Sequence, residues 1–572
     1  MLSPWLVPFR SGATSLVLLG LCNYTMGRPF YMNWSDKTYG PDGPWNAVTI
    51  GVGKPGQQID LYPGSTWESR VFLPSICSND TISSTCYARD AGIFYPDSSS
   101  SFAGNESIAL GPNGEWGPGQ FGAADAVGTI VEADRALIEV DLAGTLIPDV
   151  DFITISQGYQ IYPGGKNYPL QVGILALGAP DINQTFSRYD SDPLNGTFIA
   201  SYLWKYADVP ISSYSWGMHI GSAAHKIQGS LILGGYDKNR VIGDVSAQPY
   251  SGPHFPIELL DIGIGVADGE SPWDGPGKSK LLAQGNSSLS SGITVKASPA
   301  DPYLYLPKSA CDALASELPV TYQPDYGLYF WNESDPRYSH IVTSPSYLDF
   351  TFNKDGVNTE KISIKVPFAL LNLTLEAPLV EKSVRYFPCM RTTGTYALGR
   401  AFLQAAFMGV NYIDQDNGNW FLAQAPGPGY SVTPRTTTIK ATDSTIAGSN
   451  NGWVETWANY WTPLSESVNK PEDVNSGSDD RSDDRSDDSS DGLSTGAKAG
   501  IGIGCGIAGL VIIGLMVWAL ARRQRRKASI PAEVKSVNLS HPYRQVVPAQ
   551  LSAHTPIYEL ASSSKEEPYE MR

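Results

Sequence analysis

Histidine is scarce in this chain, and two common catalytic motifs are missing. The 572 residues include six histidines. Neither the His-Glu-x-x-His pattern of zinc hydrolases nor the Gly-x-Ser-x-Gly elbow of serine hydrolases is present. The glycine pattern GVGKPG at Gly51–Gly56 leads into a strand-like stretch, so it lacks the helix N-terminus that would hold a pyrophosphate. We therefore expect no metal ion and no organic cofactor.

Basic residues are also few. Lys and Arg number 40 against 57 Asp and Glu, which gives a formal net charge of −17. A surface with this balance repels phosphate backbones. We therefore expect no nucleic-acid partner.

Two apolar runs near the ends of the chain predict its topology. Met1–Gly27 carries a basic residue, an apolar run and then small residues, which is typical of a signal peptide; an uncleaved anchor is the alternative. Ala499–Ala521 is uncharged and would span roughly 34 Å as a helix, enough for a bilayer. The basic residues at 522–527 then place the C-terminus in the cytoplasm. These features predict a single-pass protein of the plasma membrane or another secretory-pathway membrane, with its N-terminal part extracellular or lumenal.

The segments on either side of the membrane run differ from the rest of the chain. Residues 427–498 contain the acidic repeat Val474–Gly492, which cannot bury enough apolar area to fold, so we interpret the region as a linker. The same region carries Trp453, Trp457 and Trp461, which are spaced like one helix face and would pack on the protein or on the membrane surface. Residues 522–572 form a tail that either docks a cytoplasmic partner through its tyrosines or is inert.

Cysteine is limited to six residues. Cys22 lies in the predicted signal peptide and Cys505 in the membrane run. The others are Cys77, Cys86, Cys311 and Cys389. An even number in an exported chain suggests two disulfides, with three connectivities, although free buried cysteines are the alternative.

Asn-x-Ser/Thr sequons agree with this topology. Those on the lumenal side are Asn33, Asn79, Asn105, Asn183, Asn195, Asn286, Asn332 and Asn372. Asn538 lies in the predicted cytoplasmic tail. We expect N-glycosylation of the first group, because only that part of the chain meets the lumen.

Short apolar runs separated by Gly, Pro and Ser dominate the remainder of the chain. Trp45–Ile50 alternates like a strand, and Ala124–Ile147 and Val150–Ile155 have the pattern of short strands. Recurring short strands with turn residues between them favour an all-β fold over βαβ units.

Two distant stretches share one plan. Ile59–Cys77 reads IDLYPGSTWESRVFLPSIC, and Thr294–Cys311 reads TVKASPADPYLYLPKSAC. Each has an apolar run, a turn that contains proline, and a second apolar run that ends in Leu-Pro and a cysteine. Each is followed later by a short apolar segment, VGILALG at Val172–Gly178 and YALGRAF at Tyr396–Phe402.

This plan resembles the two halves of a pepsin-like aspartic peptidase. In that family each half carries an Asp-Thr/Ser-Gly turn after a buried strand, and an apolar-apolar-Gly segment braces the turn from beneath. VGILALG and YALGRAF resemble the braces, with Ala176 in place of one glycine, and Gly229–Gly243 resembles the segment that joins the lobes. The resemblance covers about Pro44–Pro426. With the membrane run, the chain is similar to the membrane-anchored aspartic-peptidase-like proteins of filamentous fungi.

The resemblance implies a bilobal, all-β, pepsin-like fold with one C-terminal transmembrane helix. The N-terminal lobe would span residues 28–210 and the C-terminal lobe residues 211–426. One disulfide in each lobe is implied, Cys77–Cys86 and Cys311–Cys389. The implied binding cleft combines residues of the two turns with a tryptophan from the stretch where the family has its flap: Tyr62, Gly64, Ser65, Trp116, Ser298 and Asp301.

The catalytic positions of the family hold no aspartate in this chain. Tyr62 and Ser298 stand where the resemblance places the catalytic residues, and Asp301 is three residues out of register. An aspartic peptidase needs two carboxyl groups that share one proton. We therefore expect a non-catalytic pseudoprotease that binds a peptide or a cell-wall ligand in its cleft. An active endopeptidase with displaced catalytic residues, such as Asp301, is the alternative.

Overall fold

The structure is a computed structural model that describes residues 27–102, 126–178, 183–186, 194–250, 255–356, 360–412 and 418–465. All of these belong to the first of the two units into which the chain divides, Met1–Glu472. Residues 1–26 of the predicted signal peptide, Asn105, Trp116, the acidic repeat, the membrane run and the cytoplasmic tail lie outside the described residues. Across the described ranges, no helix is both long enough and apolar enough to cross a bilayer.

The described residues are mostly β-strand, which confirms the predicted predominance of β structure. In chain order the strands are β1 (Phe30–Tyr31), β2 (Trp34–Tyr39), β3 (Trp45–Val52), β4 (Gln57–Gly64), β5 (Ser69–Phe72), β6 (Gly128–Leu142), β7 (Thr145–Ile161), β8 (Asn167–Pro169), β9 (Gly173–Ala176), β10 (Asn183–Phe186), β11 (Leu194–Thr197), β12 (Ser215–His219), β13 (Ser230–Leu233), β14 (Gly235–Asp237), β15 (Ile242–Pro249), β16 (Pro256–Val266), β17 (Gly277–Lys278), β18 (Ile293–Ala297), β19 (Leu304–Pro307), β20 (Val320–Gln323), β21 (Leu328–Trp331), β22 (Ser346–Asn353), β23 (Lys361–Pro367), β24 (Leu373–Leu375), β25 (Val384–Phe387), β26 (Cys389–Thr392), β27 (Ala397–Leu398), β28 (Ala406–Asn411), β29 (Asn419–Gln424) and β30 (Thr436–Thr438).

Short helices connect these strands. The α-helices in the described ranges are Ala88–Ala91, Ile199–Lys205, Lys308–Ser316, Pro336–Thr343, Arg400–Leu403 and Trp453–Trp457. Single turns of 3₁₀-helix cover Pro74–Cys77, Pro96–Ser98, Lys238–Arg240, Ser287–Leu289 and Phe368–Leu371.

Three large sheets organise the strands. A ten-stranded sheet has the order β10-β11-β7-β5-β9-β4-β3-β2, with β6 beside β3 and β7, and with β8 beside β7. An eight-stranded sheet has the order β23-β22-β16-β18-β27-β19-β26, with β17 beside β16. A six-stranded sheet, β1-β13-β12-β28-β29-β15, combines strands from both ends of the described chain. Two small sheets, β14-β30 and β20-β21-β25-β24, complete the fold.

Burial differs between the sheets. Every residue of β12 and β28 is buried, so the six-stranded sheet is covered on both faces there. In β22, by contrast, buried and half-buried residues alternate, so one face packs on the core and the other meets solvent. Each fully buried Leu or Phe stabilises the fold by about 1.5–3 kcal/mol.

Strands β6 and β7 form one long antiparallel hairpin rather than the predicted short strands. The chain turns at Ala143 and Gly144, which both have positive φ. Pro148 suggests a strand break in the sequence, but it lies within β7 beside a register shift of the ladder. A proline is tolerated at a bulge because no ladder hydrogen bond needs its N–H there.

Both disulfides implied by the resemblance are present. Cys77 pairs with Cys86, with their Cα atoms 5.0 Å apart. Cys311 pairs with Cys389, with their Cα atoms 5.7 Å apart. The first lies next to the ten-stranded sheet, and the second joins the helix Lys308–Ser316 to β26.

The tryptophan stripe packs on the protein. Trp453, Trp457 and Trp461 are all buried. The rings of Trp457 and Trp461 stack with their centroids 5.2 Å apart, and Trp453 meets Trp461 edge-on at 5.3 Å. Trp457 covers Gly427, where an added Cβ would lie 2.5 Å from the indole nitrogen.

Candidate binding site at the two turns

The first turn follows strand β4. Residues Leu61 to Gly64 of β4 pair in parallel with Gly173 to Ala176 of β9. Strand β9 also pairs antiparallel with β5 through Ile174 and Arg70, so it lies between the two strands that the turn connects. The predicted brace therefore lies against the first turn. A side chain at Gly64 does not fit this crossing, because its Cβ would lie 2.4 Å from Cγ2 of Ile174.

The second turn is built in the same way. Strand β18 pairs in parallel with β27, and β27 pairs antiparallel with β19. At the turn, Ser298 N donates to Leu398 O at 3.0 Å, and Arg400 N donates to Asp301 O at 2.7 Å. Gly399 has no room for a side chain, because its Cβ would lie 2.3 Å from Asp301 O. The second brace thus holds its turn by backbone hydrogen bonds at both ends.

The sheet register shows which residues correspond in the two turns. In the first turn Tyr62 pairs with Ile174, the first residue of the Ile-Leu-Ala brace in β9. In the second turn Lys296 pairs with Ala397, the first residue of the Ala-Leu-Gly brace that begins β27. Two residues further on, Gly64 corresponds to Ser298. The resemblance instead places Tyr62 opposite Ser298, two residues before Gly64, whereas counting back nine residues from the shared Leu-Pro matches Ser65 with Ser298. None of these side chains carries a carboxyl group.

Arg400 connects the two turns. Its Nη1 donates to the backbone oxygens of Pro299 at 3.2 Å and Ala300 at 2.7 Å. Its Cζ lies 4.1 Å from the centroid of the Tyr62 ring, an arrangement typical of a cation–π interaction. Sequence reasoning missed this residue, although it lies inside the YALGRAF motif. The motif predicts a brace that ends at Gly399, and it predicts no role for the side chain of the next residue, Arg400.

Asp301 is the carboxyl group at the second turn. Its Oδ2 accepts a hydrogen bond from Ser298 Oγ at 2.8 Å. Burial raises the pKa of Asp301 to about 6. The Ser298 hydroxyl and the positive charges of Arg400 and Arg70 oppose that rise in pKa. The structure thus brings Ser298 and Asp301 together as a hydroxyl–carboxyl pair beside two guanidinium groups.

A cavity of about 150 Å³ opens beside these groups. Of the predicted cleft residues, Tyr62 and Asp301 line it, whereas Gly64, Ser65 and Ser298 belong to the turns without lining it. Sequence reasoning missed other polar residues of its wall: Asp42, Arg70, Tyr162, Gln171, Tyr303, Tyr305 and Arg400. The hydroxyl groups of Tyr162 and Tyr303 lie 2.8 Å apart and form a hydrogen bond.

The two carboxyl groups in the cavity wall have separate partners. Asp42 Oδ1 accepts a hydrogen bond from Trp45 Nε1 at 2.8 Å. Asp301 pairs with Ser298, and the charged side chains that act on it in the described part of the chain are Arg400 and Arg70. A peptidase dyad requires two carboxyl groups that share one proton. The arrangement around Asp301 suits the binding of a polar group better than acid–base catalysis.

The described sequons differ in their surroundings. The exposed ones are Asn33, Asn183, Asn195, Asn286 and Asn332, and the half-buried ones are Asn79 and Asn372. The Asn372 side-chain nitrogen donates to the hydroxyl of Tyr338 at 3.0 Å. Asn105 lies outside the described residues.

Neither a search for metal-binding groups nor a comparison with known proteins assigns a function to this site. In the ranges that the structure covers, no three His, Cys, Asp or Glu side chains are grouped so that they could hold a metal ion. No protein-family model matches the chain, and no curated protein matches its sequence.

Proposed function

We propose that this protein is related to the pepsin-like aspartic peptidases, lacks their catalytic dyad, and binds a peptide or cell-wall ligand at the cavity beside its two turns. The observation that carries the proposal is the position of Arg400, which binds backbone oxygens of the second turn and packs on Tyr62. A guanidinium group at this junction lowers the pKa of neighbouring carboxyl groups, against the effect of burial, and so opposes the sharing of a proton between two of them. The corresponding residues Gly64 and Ser298 carry no carboxyl group.

The sheets support a two-lobed arrangement. The ten-stranded sheet takes its strands from residues 34–197, and the eight-stranded sheet takes its strands from residues 256–398. Each contains one crossing in which a brace strand lies between the strands that a turn connects, β4-β9-β5 and β18-β27-β19. This repetition agrees with a duplicated, pepsin-like fold.

The membrane part of the proposal depends on the sequence. The signal peptide, the apolar run Ala499–Ala521 and the basic residues after it favour a single-pass protein with its N-terminal part outside the cytoplasm. Two disulfides in the described part agree with an oxidising compartment.

A second candidate is an active endopeptidase at the cell surface. The carboxyl group of Asp301, with a pKa of about 6, could exchange a proton with a substrate near that pH. Asp42 lines the same cavity, although it is already bound to Trp45. Asp301 alone would lack the second carboxyl group that activates the water.

Incubation of the purified ectodomain with a random peptide library tests both candidates, over a range from about pH 3 to about pH 7. We expect no cleavage products by mass spectrometry, and we expect peptides or wall polysaccharide to be retained by the immobilised ectodomain. The matched control is Asp301→Asn. Cleavage by the wild type that disappears in this variant would overturn the pseudoprotease and favour the enzyme. Failure to retain either class of ligand would overturn the binding function.

A further inference from the structure

An open groove of about 710 Å³ lies on the surface beside the helix Lys308–Ser316. Three parts of the chain form it: residues 284–286, the helix itself, and the end of strand β26 with the loop after it. No described residue lines both this groove and the cavity beside the two turns. The function proposed above therefore does not account for the groove.

The charged groups of the groove are already satisfied. Among the described residues that line it, the charged ones are Lys308 and Asp312, and Lys308 Nζ donates to Asp312 Oδ2 at 2.6 Å. The other oxygen of this carboxylate, Oδ1, accepts hydrogen bonds from Tyr329 and Arg391. The side chain of Lys308 is mostly exposed to water. The groove therefore does not require a charged ligand.

Most of the remaining lining is polar and uncharged. The cores of protein–protein interfaces are more apolar than this, so an apolar protein segment fits the groove poorly. Hydroxyl and amide groups instead suit the hydroxyl groups of a neutral sugar, and a half-buried tyrosine adds an apolar ring with a polar tip. The uncharged polar side chains of the lining are Gln284, Asn286, Ser309, Ser316, Thr392, Thr393 and Tyr396.

Asn286, one of the predicted glycosylation sites, is itself part of the lining. Its Oδ1 accepts hydrogen bonds from Ser288 N at 3.2 Å and from Ser288 Oγ at 2.7 Å. These two bonds hold the amide group, and a glycan extends from its other atom, Nδ2. At the neighbouring Gly285 an added Cβ would meet no atom within 4 Å. There is thus open space beside the point of attachment.

Covalent attachment compensates for weak contacts. A cavity of about 150 Å³ holds the six-membered ring of benzene. The groove, at about 710 Å³, therefore has room for several sugar rings. A short tether raises the effective concentration of the attached group to about the millimolar range. Sugars that bind the groove too weakly from solution can therefore occupy it when they are attached at Asn286.

We propose that the groove binds the protein's own N-linked glycan, attached at Asn286. The first sugars lie along the helix Lys308–Ser316 and contact the loop after β26, rather than project into solvent. The glycan thereby covers the helix that the Cys311–Cys389 disulfide joins to β26. This inference goes beyond the proposed function, and it requires that this part of the chain meets the lumen, as the predicted topology implies.

Site-resolved deglycosylation of the native ectodomain, produced with high-mannose glycans, tests the inference. Asn332 is the matched reference, because its Oδ1 accepts from Ser334 N and Oγ in the same way, although it is not among the described residues of the lining. Endoglycosidase H cuts within the glycan core, and mass spectrometry of glycopeptides follows each site. Because one or two hydrogen bonds withdraw the bound sugars from the enzyme, we expect release at Asn286 to be about tenfold slower than at Asn332. After denaturation the two rates should be equal.

A bulky side chain in the groove should displace the glycan. Thr393→Trp places an indole at an exposed position of the lining and changes no sequon. We expect the rate of release at Asn286 in this variant to rise to the rate at Asn332. The matched control is Ser431→Trp, because Ser431 is also exposed but lies outside the described lining. This control should leave the difference between the two sites unchanged.

Hydrogen exchange on the wild type is an independent measurement, which decides the question if Thr393→Trp does not fold. Peptide N-glycosidase F removes the glycan and converts Asn286 to aspartate, which keeps the Oδ1 acceptor. We expect amide exchange in the helix Lys308–Ser316 to become faster after this treatment.

Four results would each overturn the inference. They are an unmodified Asn286, equal native release at Asn286 and Asn332, slow release that persists in folded Thr393→Trp, and exchange in the helix that does not change when the glycan is removed. None of these results concerns ligand binding in the cavity, so the proposed function is decided separately.

Discussion

The guanidinium group of Arg400 packs on the ring of Tyr62, with 4.1 Å between Arg400 Cζ and the ring centroid. Tyr62 lies on β4 of the ten-stranded sheet, and Arg400 begins the helix that follows β27 of the eight-stranded sheet. This contact therefore joins the two sheets at the two turns that the proposed function compares with those of a pepsin-like peptidase. Its consequences can be measured as stability, as pH dependence and as catalysis.

Removal of the Arg400 side chain should destabilise the fold. In Arg400→Met the oxygens of Pro299 and Ala300 lose their buried donor, and we expect a loss of about 2 kcal/mol in unfolding free energy. Urea unfolding followed by tryptophan fluorescence measures the change. The control is Arg385→Met, an exposed arginine that does not line the cavity, with an expected change within about 0.5 kcal/mol. Equal effects of the two substitutions would contradict a bridging role for Arg400.

We expect the carboxyl group of Asp301 to make a pH-dependent contribution to the free energy of unfolding. Its pKa in the folded protein is about 6, above the value of about 3.9 for an unfolded chain. The folded state therefore binds this proton more tightly, and its contribution to stability falls by about 3 kcal/mol as the pH rises from about 4 to about 6. Below and above that window the contribution is constant.

Comparison with Asp301→Asn isolates this contribution. Burial also raises the pKa of Asp151 to about 7, so the wild-type curve alone reports more than one group. We expect the difference in unfolding free energy between wild type and variant to change between about pH 4 and about pH 6. A difference that stays flat across this window would show that the pKa of Asp301 is not raised.

The turns and their braces could be predicted from the sequence because they depend on local patterns. Alternating apolar residues mark β3, and the repeated Leu-Pro and cysteine mark the strands after each turn. The disulfides followed from the resemblance. The long hairpin β6–β7 was not predicted, because only tertiary pairing shows that the strand continues through Pro148, which lies beside a bulge.

The cavity could not be predicted because its polar wall is assembled from distant parts of the chain. Asp42, Tyr162 and Arg400 come from three separate segments, and none belongs to a recognisable motif of binding residues. Apolar alternation predicts which positions are buried, but it does not show which polar side chains turn inward. The two-residue difference between the predicted position, Tyr62, and the position given by the sheet register, Gly64, has the same origin, since the register depends on strand pairing.

The two disulfides should differ in their contribution to stability. They enclose sequence separations of 9 residues for Cys77–Cys86 and 78 residues for Cys311–Cys389. In the chain-entropy model the shorter loop contributes about 2.5 kcal/mol and the longer loop about 4.5 kcal/mol. Replacing each pair by alanines and measuring unfolding free energy should show the larger loss for Cys311–Cys389. The reverse order would mean that loop entropy does not govern these bonds.

Glycan occupancy should follow the surroundings of the sequons. Asn286 and Asn332 are exposed, whereas Asn372 is half-buried and its side-chain nitrogen donates to Tyr338. A glycan on that nitrogen would compete for space with the hydroxyl group of Tyr338, which lies 3.0 Å away. Mass spectrometry of glycopeptides should therefore find glycans at Asn286 and Asn332 and an unmodified Asn372. Comparable occupancy at all three positions would contradict this prediction.

Introducing aspartates at the turns should not create a peptidase. The pair Tyr62→Asp and Ser298→Asp follows the positions predicted from the resemblance, and the pair Gly64→Asp and Ser298→Asp follows the sheet register. In the second pair the new Cβ at residue 64 would lie 2.4 Å from Ile174 Cγ2, so we expect loss of stability. In both pairs the positive charge of Arg400 would lower the pKa of the new carboxyl groups and oppose the effect of burial on them.

A lower pKa weakens the hold of the two carboxyl groups on the shared proton that peptide hydrolysis requires. Pro63 lies between residues 62 and 64, and Pro299 follows residue 298. Neither proline has an N–H to donate to a new carboxylate. We therefore expect no hydrolysis by either double variant between about pH 3 and about pH 5, measured with a quenched fluorescent peptide library. Adding Arg400→Met to each pair removes the guanidinium and serves as the matched comparison. Hydrolysis by a double variant with Arg400 intact, blocked by a statine-type inhibitor, would show that Arg400 does not prevent the two carboxyl groups from sharing a proton.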